Sequence, residues 1–319
     1  MNDTKANARA WLEIARISNL PTVVSNAVAG AAIGAGSGWG LESGRPWIFA
    51  PGAMWWAIAA PALAYVGGMV LNDAFDASID AAERPSRPIP SGRIPRAQAF
   101  AAGFALLALG VLAVRLTGSP TAFACMLALT AAVVLYNLVH ARAAASVLLL
   151  AACRALAALV PLVVFHGESF HWRSPTLALP GALAAWTLGL SLLARGEMSA
   201  AALPARTVVA VGYAIRLFFA IACFAAIVSS SRRGGAFPPQ ASIWASVAIA
   251  FVTAIFAHVS WRRLRRGAGA VRRAVGRMIV CLALIDAIFV TAAGDPLSGA
   301  MCLALALLAD RAQRRVAPT

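Results

Sequence analysis

Long apolar runs, separated by short polar or Pro- and Gly-rich breaks, set the reading of this chain. A helix needs roughly 17–25 apolar residues to cross a bilayer. Runs of that kind lie at 18–36, 52–72, 97–116, 120–139, 144–165, 177–194, 206–229, 241–260 and 274–293, and a shorter tenth follows at 297–310. The expected fold class is all-α: a polytopic transmembrane bundle of nine helices, ten if the last run crosses, in a single domain over 1–319. The breaks at 37–51, 166–176 and 230–240, rich in Gly, Pro and Ser, read as connectors.

Composition supports the membrane assignment. With 61% hydrophobic and 12% charged residues and a mean hydropathy of +0.78, the chain has too little polar surface to coat a soluble domain. A formal charge of +15 would suggest nucleic acid in a soluble protein, but the basic residues sort by loop. With the N-terminus inside and the tenth run crossing, which puts Arg311, Arg314 and Arg315 inside, 20 of the 27 are cytoplasmic, five (Arg45, Arg115, Arg173, Arg232, Arg233) lie outside, and Arg154 and Arg216 fall within spans. That is the positive-inside pattern. The cluster from Arg262 to Arg277 then reads as a topology signal touching anionic lipid, and no nucleic-acid partner is expected. No cleavage pattern follows the weakly basic N-terminus, so the first span is expected to be retained. The expected location is a bacterial inner membrane. Cysteines 125, 153, 223, 281 and 302 stand singly in spans without CxxC spacing, which reads as packing rather than disulfides or zinc. Trp11, Trp39, Trp47, Trp55 and Trp56 read as interfacial anchors.

On this topology the polar groups gather at the cytoplasmic ends of even-numbered spans: 73–96 after the second, His140 and Arg142 after the fourth, Arg195, Glu197 and Arg206 after the sixth. One cavity opening inward, apolar behind its mouth, suits an amphiphile with an anionic head and a hydrocarbon tail. The densest group is Asp73, Asp76, Asp80 and Glu83, four of the twelve acidic residues within eleven positions. The spacings Asp73, Asp76, Asp80 and Asn72, Asp76, Asp80 place each set on one helix face. Such carboxylates raise one another's pKa, so a Mg²⁺ ion is expected to keep them ionised. Arg84, Arg87 and Arg93 follow, interleaved with Pro85, Pro88, Pro90 and Gly92. The prolines stop the helix and stiffen a loop whose guanidinium groups suit phosphate. Metal and arginine together point to a diphosphate.

The run Asn72-Asp73-Ala74-Phe75-Asp76-Ala77-Ser78-Ile79-Asp80, followed by Arg84-Pro85-Ser86-Arg87-Pro88-Ile89-Pro90-Ser91-Gly92-Arg93-Ile94, resembles the first aspartate-rich motif of the UbiA superfamily of intramembrane prenyltransferases. Arg16-Ile17-Ser18-Asn19-Leu20-Pro21 resembles that family's opening helix. The resemblance implies a helical barrel whose active site faces the cytoplasm. In it Asn72, Asp76 and Asp80, with Asp73 close by, would hold Mg²⁺. A prenyl diphosphate would meet Arg16, Asn19, Arg84, Arg87, Arg93, Tyr136, His140, Arg142, Arg154 and Arg195. The allylic cation would pass to a lipophilic acceptor, expected to be aromatic.

Two departures stand out. At the place of the family's second, paired-aspartate motif the chain has Leu193-Ala194-Arg195-Gly196-Glu197-Met198-Ser199, one carboxylate, leaving Glu197 as a metal ligand and catalytic residue or Arg195 as a substitute charge. The family's Tyr-x-x-x-Lys is similar to Tyr136-Asn137-Leu138-Val139-His140, with histidine at the lysine position. With Cys153-Arg154-Ala155-Leu156, these departures resemble the EboC-like branch of the superfamily. The missing second motif also leaves open a protein that binds or transports an isoprenoid phosphate without turnover. An ion-coupled transporter is disfavoured, because Arg84 to Arg93 would repel a cation. Asp286, inside the ninth span, either pairs with Arg216 or stays protonated, and Glu13 with Arg16 reads as a surface pair. His166 and His171 belong to an outer loop, away from the acids.

Overall fold

The computed structural model describes residues 2–36, 52–140, 146–198, 239–264 and 268–315. These residues form helices and turns and no strand. In chain order the helices are α1 (Asn2–Ile14), α2 (Leu20–Gly34), α3 (Gly52–Phe75), α4 (Ala77–Glu83), α5 (Arg96–Arg115), α6 (Pro120–Val139), α7 (Ser146–His166), α8 (Ala178–Met198), α9 (Pro239–Leu264), α10 (Ala268–Ala292) and α11 (Pro296–Arg315). Among the described residues seven segments are long and apolar enough to cross a membrane: α3, α5, α6, α7, α8 with the turn before it, α9 and α10. The span expected at 206–229 lies outside the described residues.

The first expected span differs from its run. It folds as α2, only 15 residues and so about 22 Å long, short of a hydrocarbon core of roughly 30 Å. Its position explains this: from Pro21 to Gly34 every residue but Val24 is buried, packed against α3, α7, α10 and α11. A helix walled in by other helices meets no lipid and need not match bilayer thickness. Its close approach to α7 depends on small residues. A Cβ at Gly30 would collide with the Ala158 carbonyl oxygen and one at Gly34 with that of Leu162, a small-xxx-small contact. α3 and α5 cross in the same way at Gly67 and Gly103.

The outer helices carry apolar residues outward: Phe104 and Leu112 on α5, Leu127 and Leu135 on α6, Trp244 and Phe251 on α9 are all exposed, as a lipid-facing surface requires. Trp55 and Trp56 stand exposed at the start of α3, fitting the anchor reading. Cys125, Cys281 and Cys302 are buried and free, as packing residues are, while Cys153 is free and half-buried. α11 is longer than its run. Asp295 starts it, its Oδ1 accepting from Ser298 N at 3.0 Å and its Oδ2 from Ser298 Oγ at 2.6 Å, with Pro296 in the first turn.

α1 and α4 were not visible as runs, because neither is long or apolar. They join the proline loop in a second small core where Ala10, Ile14, Val70, Ala74, Ile89 and Ile94 are buried together. This core ties α1 and the 84–95 loop to the inner end of α3. It thereby fixes the arginines of that loop against the aspartates.

Candidate active site

The aspartates straddle a bend. α3 ends at Phe75 and α4 begins at Ala77, with Asp76 at the junction (φ −81°, ψ 1°). Backbone bonds from Asp76 N to Asn72 O (2.9 Å) and from Asp80 N to Asp76 O (2.8 Å) carry the chain through it. By their protein partners the side chains divide into two groups. Arg87 Nη1 donates to Asp80 Oδ2 at 2.7 Å and lies 3.6 Å from Asp73 Oδ1. Arg84 stands 3.9 Å from Asp80 Oδ1, its side chain 48% exposed at the rim. Arg16 Nη2 reaches Asn72 Oδ1 at 3.2 Å and Asp73 Oδ1 at 3.4 Å. Asp76 faces the other way, its Oδ2 3.0 Å from His140 Nε2. Three guanidinium groups, those of Arg16, Arg84 and Arg87, thus stand against Asp73 and Asp80, and the His140 imidazole stands against Asp76.

His140 follows α6 and stacks on Tyr136, ring centroids 5.1 Å apart. Its hydrogen bond to the accepting Asp76 carboxylate raises its pKa above the ordinary histidine value, against burial that lowers it. Its other neighbour is Asn72, whose Nδ2 lies 3.4 Å from His140 Nε2 and donates to Asn137 Oδ1 at 3.2 Å. Asn137 in turn donates to the Gly68 carbonyl at 3.1 Å. Sequence reasoning missed Asn137 as a site residue. A buried amide three residues before His140, on an apolar helix, was the available signal. Arg96 was also missed: its Nε donates to the Ala74 carbonyl at 2.8 Å, satisfying the end of α3.

Several residues expected to contact diphosphate also have protein partners of their own. Arg93 braces its own loop, donating to Ser86 O at 2.7 Å and Ser91 Oγ at 3.1 Å and pairing with Glu13 at 3.4 Å. Glu13 therefore partners Arg93, not Arg16. Asn19 Oδ1 accepts from Gln313 Nε2 on α11 at 2.9 Å. Arg154 lies eight residues inside α7, where Nη1 donates to Asn26 Oδ1 at 2.9 Å. Asn26 Nδ2 and Ser25 Oγ both donate to Asp286 Oδ2 at 2.7 Å, so Asp286 joins Arg154 through Asn26 in a polar seam across the core. Arg142, Arg206 and Arg216 lie outside the described residues, as do the side chains of Arg195 and Glu197. His166 packs edge-on against Phe170 at the far end of α7, away from the acids as expected.

Mg²⁺ takes few protein carboxylates and keeps the rest of its shell for water and substrate phosphate. The Asn72 amide oxygen and the Asp76 carboxylate, one turn apart, are hard donors of that kind. Among the described residues no three acidic, histidine or cysteine side chains converge as a metal-holding group. The Asn72 and Asp76 donors fit a metal that shares its shell with water and a ligand.

A profile of the UbiA prenyltransferase family matches residues 27–279. The digeranylgeranylglyceryl phosphate synthase of Ignicoccus hospitalis is 38% identical over 112 residues, 34% of this chain and 32% of that protein. The one from Methanopyrus kandleri is 39% identical over 113 residues, 32% of this chain and 34% of that protein. The chain thus spans about a third of the length of these curated relatives. A solved structure of a UbiA homologue from Archaeoglobus fulgidus bound to GPP and Mg²⁺ superposes with a TM-score of 0.59 at 14% identity, covering 93% of this chain and 99% of that one. A solved digeranylgeranylglyceryl phosphate synthase structure gives 0.57 at 17%, covering 90% and 99%. At such identities the likeness is one of fold.

Proposed function

The chain belongs to the UbiA prenyltransferase family, and from that premise we propose that it transfers a prenyl group from an isoprenyl diphosphate to a lipophilic acceptor in the membrane, releasing diphosphate. The observation that carries this reading is convergence. Arg16 before α2, Arg84 and Arg87 of the proline loop, and His140 after α6 all meet the Asn72–Asp80 segment at one end of the bundle.

Bound Mg²⁺, held by Asn72 and Asp76, would offset charge on the leaving diphosphate. Arg84, at the rim, is placed to take phosphate oxygens in a bidentate fork. Arg87 and Arg16 hold Asp73 and Asp80 in place before any ligand arrives. His140, now held by Asp76, would reach a phosphate oxygen by turning its Nε2 from that carboxylate. Behind the mouth the apolar helices exclude water from the allylic cation. Glu197, at the end of α8, would supply the remaining carboxylate, and the whole chain would act as a single domain.

The acceptor class expected from the motif was aromatic, whereas the relatives are named for a glyceryl phosphate lipid. The test is diphosphate release from geranyl, farnesyl and geranylgeranyl diphosphate by protein in lipid, with Mg²⁺ or EDTA, against phenolic and glyceryl phosphate acceptors. Magnesium-dependent release stimulated by one class supports transfer and names that class. Tight binding without release favours a non-catalytic carrier, the reading supported by Arg87 occupying two of the aspartates. The cytoplasmic orientation rests on the arginine distribution. The relatives named above are archaeal, and a bacterial membrane has no support among them.

Glu197→Gln should cut release on the order of 10²-fold if that carboxylate helps hold metal, and unchanged turnover would mean the reaction runs without it. His140→Lys should tighten prenyl diphosphate binding roughly 3- to 10-fold, because an ammonium stays charged where imidazole titrates. Equal dissociation constants would remove His140 from the ligand's reach.

A further inference from the structure

Arg16 is the single non-glycine residue with positive φ among the described residues (φ 45°, ψ 49°). A side chain occupies that left-handed region only where its surroundings over-determine the backbone. Two donors hold the Arg16 carbonyl: Tyr65 Oη on α3 at 3.1 Å and Asn19 N at 3.0 Å. Asn19 is itself held twice. Its carbonyl accepts from Thr22 Oγ1 at 2.8 Å, and its Oδ1 from Gln313 Nε2 at 2.9 Å. Meanwhile the guanidinium leaves Nε buried with no partner among the described residues. A guanidinium free to choose its pose would pair that N–H. Its placement on Asn72 and Asp73 is therefore imposed from the backbone side.

We propose that Tyr65 and Gln313 are positioning residues that hold Arg16 in its left-handed conformation and so aim its guanidinium at the diphosphate mouth. Arg16, Asn19 and Gln313 all fall outside residues 27–279, the stretch matched by the family profile. The brace thus joins the two ends of the chain and gives the last turn of α11 a part in the site. This inference rests on the reading of the mouth as a diphosphate site.

The test is a double-mutant cycle in lipid nanodiscs, reading the dissociation constant of geranyl diphosphate with Mg²⁺. Arg16→Gly supplies the background, since glycine takes φ 45° without strain and the backbone is kept. Tyr65→Phe and Gln313→Met are each expected to weaken binding about tenfold when Arg16 is present, the worth of one well-placed hydrogen bond, and to have no effect in the Arg16→Gly background. A purely structural role would lower unfolding temperature equally in both backgrounds and leave the dissociation constant alone. Unchanged binding, or the same weakening in both backgrounds, overturns the proposal. If the wild type binds no geranyl diphosphate, the functional reading fails by itself, and unfolding temperatures of the same proteins decide the brace: coupled losses sustain it and additive ones refute it.

Discussion

Asp76→Ala is expected to reduce magnesium-dependent diphosphate release on the order of 10³-fold while leaving the unfolding temperature near that of the wild type. Asp76 differs from its neighbours in what holds it. Asp73 and Asp80 are gripped by arginines, so removing either costs a half-buried or buried guanidinium one of its partners and mixes a folding cost with a chemical one. Asp76 pairs with His140, which can give up its proton, and both side chains keep part of their surface at the mouth. Its loss therefore isolates the metal and diphosphate contribution. Release and unfolding should be measured on the same preparation, with Mg²⁺ binding followed by calorimetry. A well-folded Asp76→Ala protein with ordinary turnover would take Asp76 out of the site and move the metal toward Asp73.

The spans were legible because lipid-facing and core positions alike demand apolar residues, and 120–139 matches α6 at both ends. The aspartate motif was legible because so many ionisable groups inside so apolar a chain demand a reason. What the sequence hid was pairing. Asp80 with Arg87 is a local contact, seven residues apart, yet spacing alone could not separate arginine from metal as the counter-charge. Arg16 with Asp73, Asn137 with Asn72, and Gln313 with Asn19 bridge 57, 65 and 294 positions. No periodicity reports contacts of that kind. Asp286 shows the same limit: it accepts from Ser25 and Asn26, neutral donors from α2 that had not been singled out, while Arg216 lies outside the described residues. Arg93 has protein partners that its motif did not announce. Its motif position resembled a phosphate contact, but the turn at Gly92 (φ 77°) returns its guanidinium to the loop and to Glu13.

Gly30→Val should be the most damaging substitution for stability, at or above the roughly 1–3 kcal/mol usual for overpacking a core. The obstacle at Gly30 is the Ala158 carbonyl oxygen, part of a helix backbone that cannot rotate aside as a side-chain end could. Relief requires α2 to move off α7. That motion would also open the bond from Arg154 to Asn26, loosen the two donors on Asp286, and carry Asn19 away from Gln313, because all of these are anchored on α2 or the turn before it. Packing and site would fail together. Gly181→Ala on α8 is the control, since a Cβ there meets nothing, and it should leave stability unchanged or slightly raised. Thermal unfolding in one detergent for Gly30→Ala, Gly30→Val and Gly181→Ala would show graded losses at position 30 and none at 181. A Gly30→Val protein that melts with the wild type would mean α2 and α7 are farther apart than the contact requires, and the route from core packing to Arg16 would lose its first step.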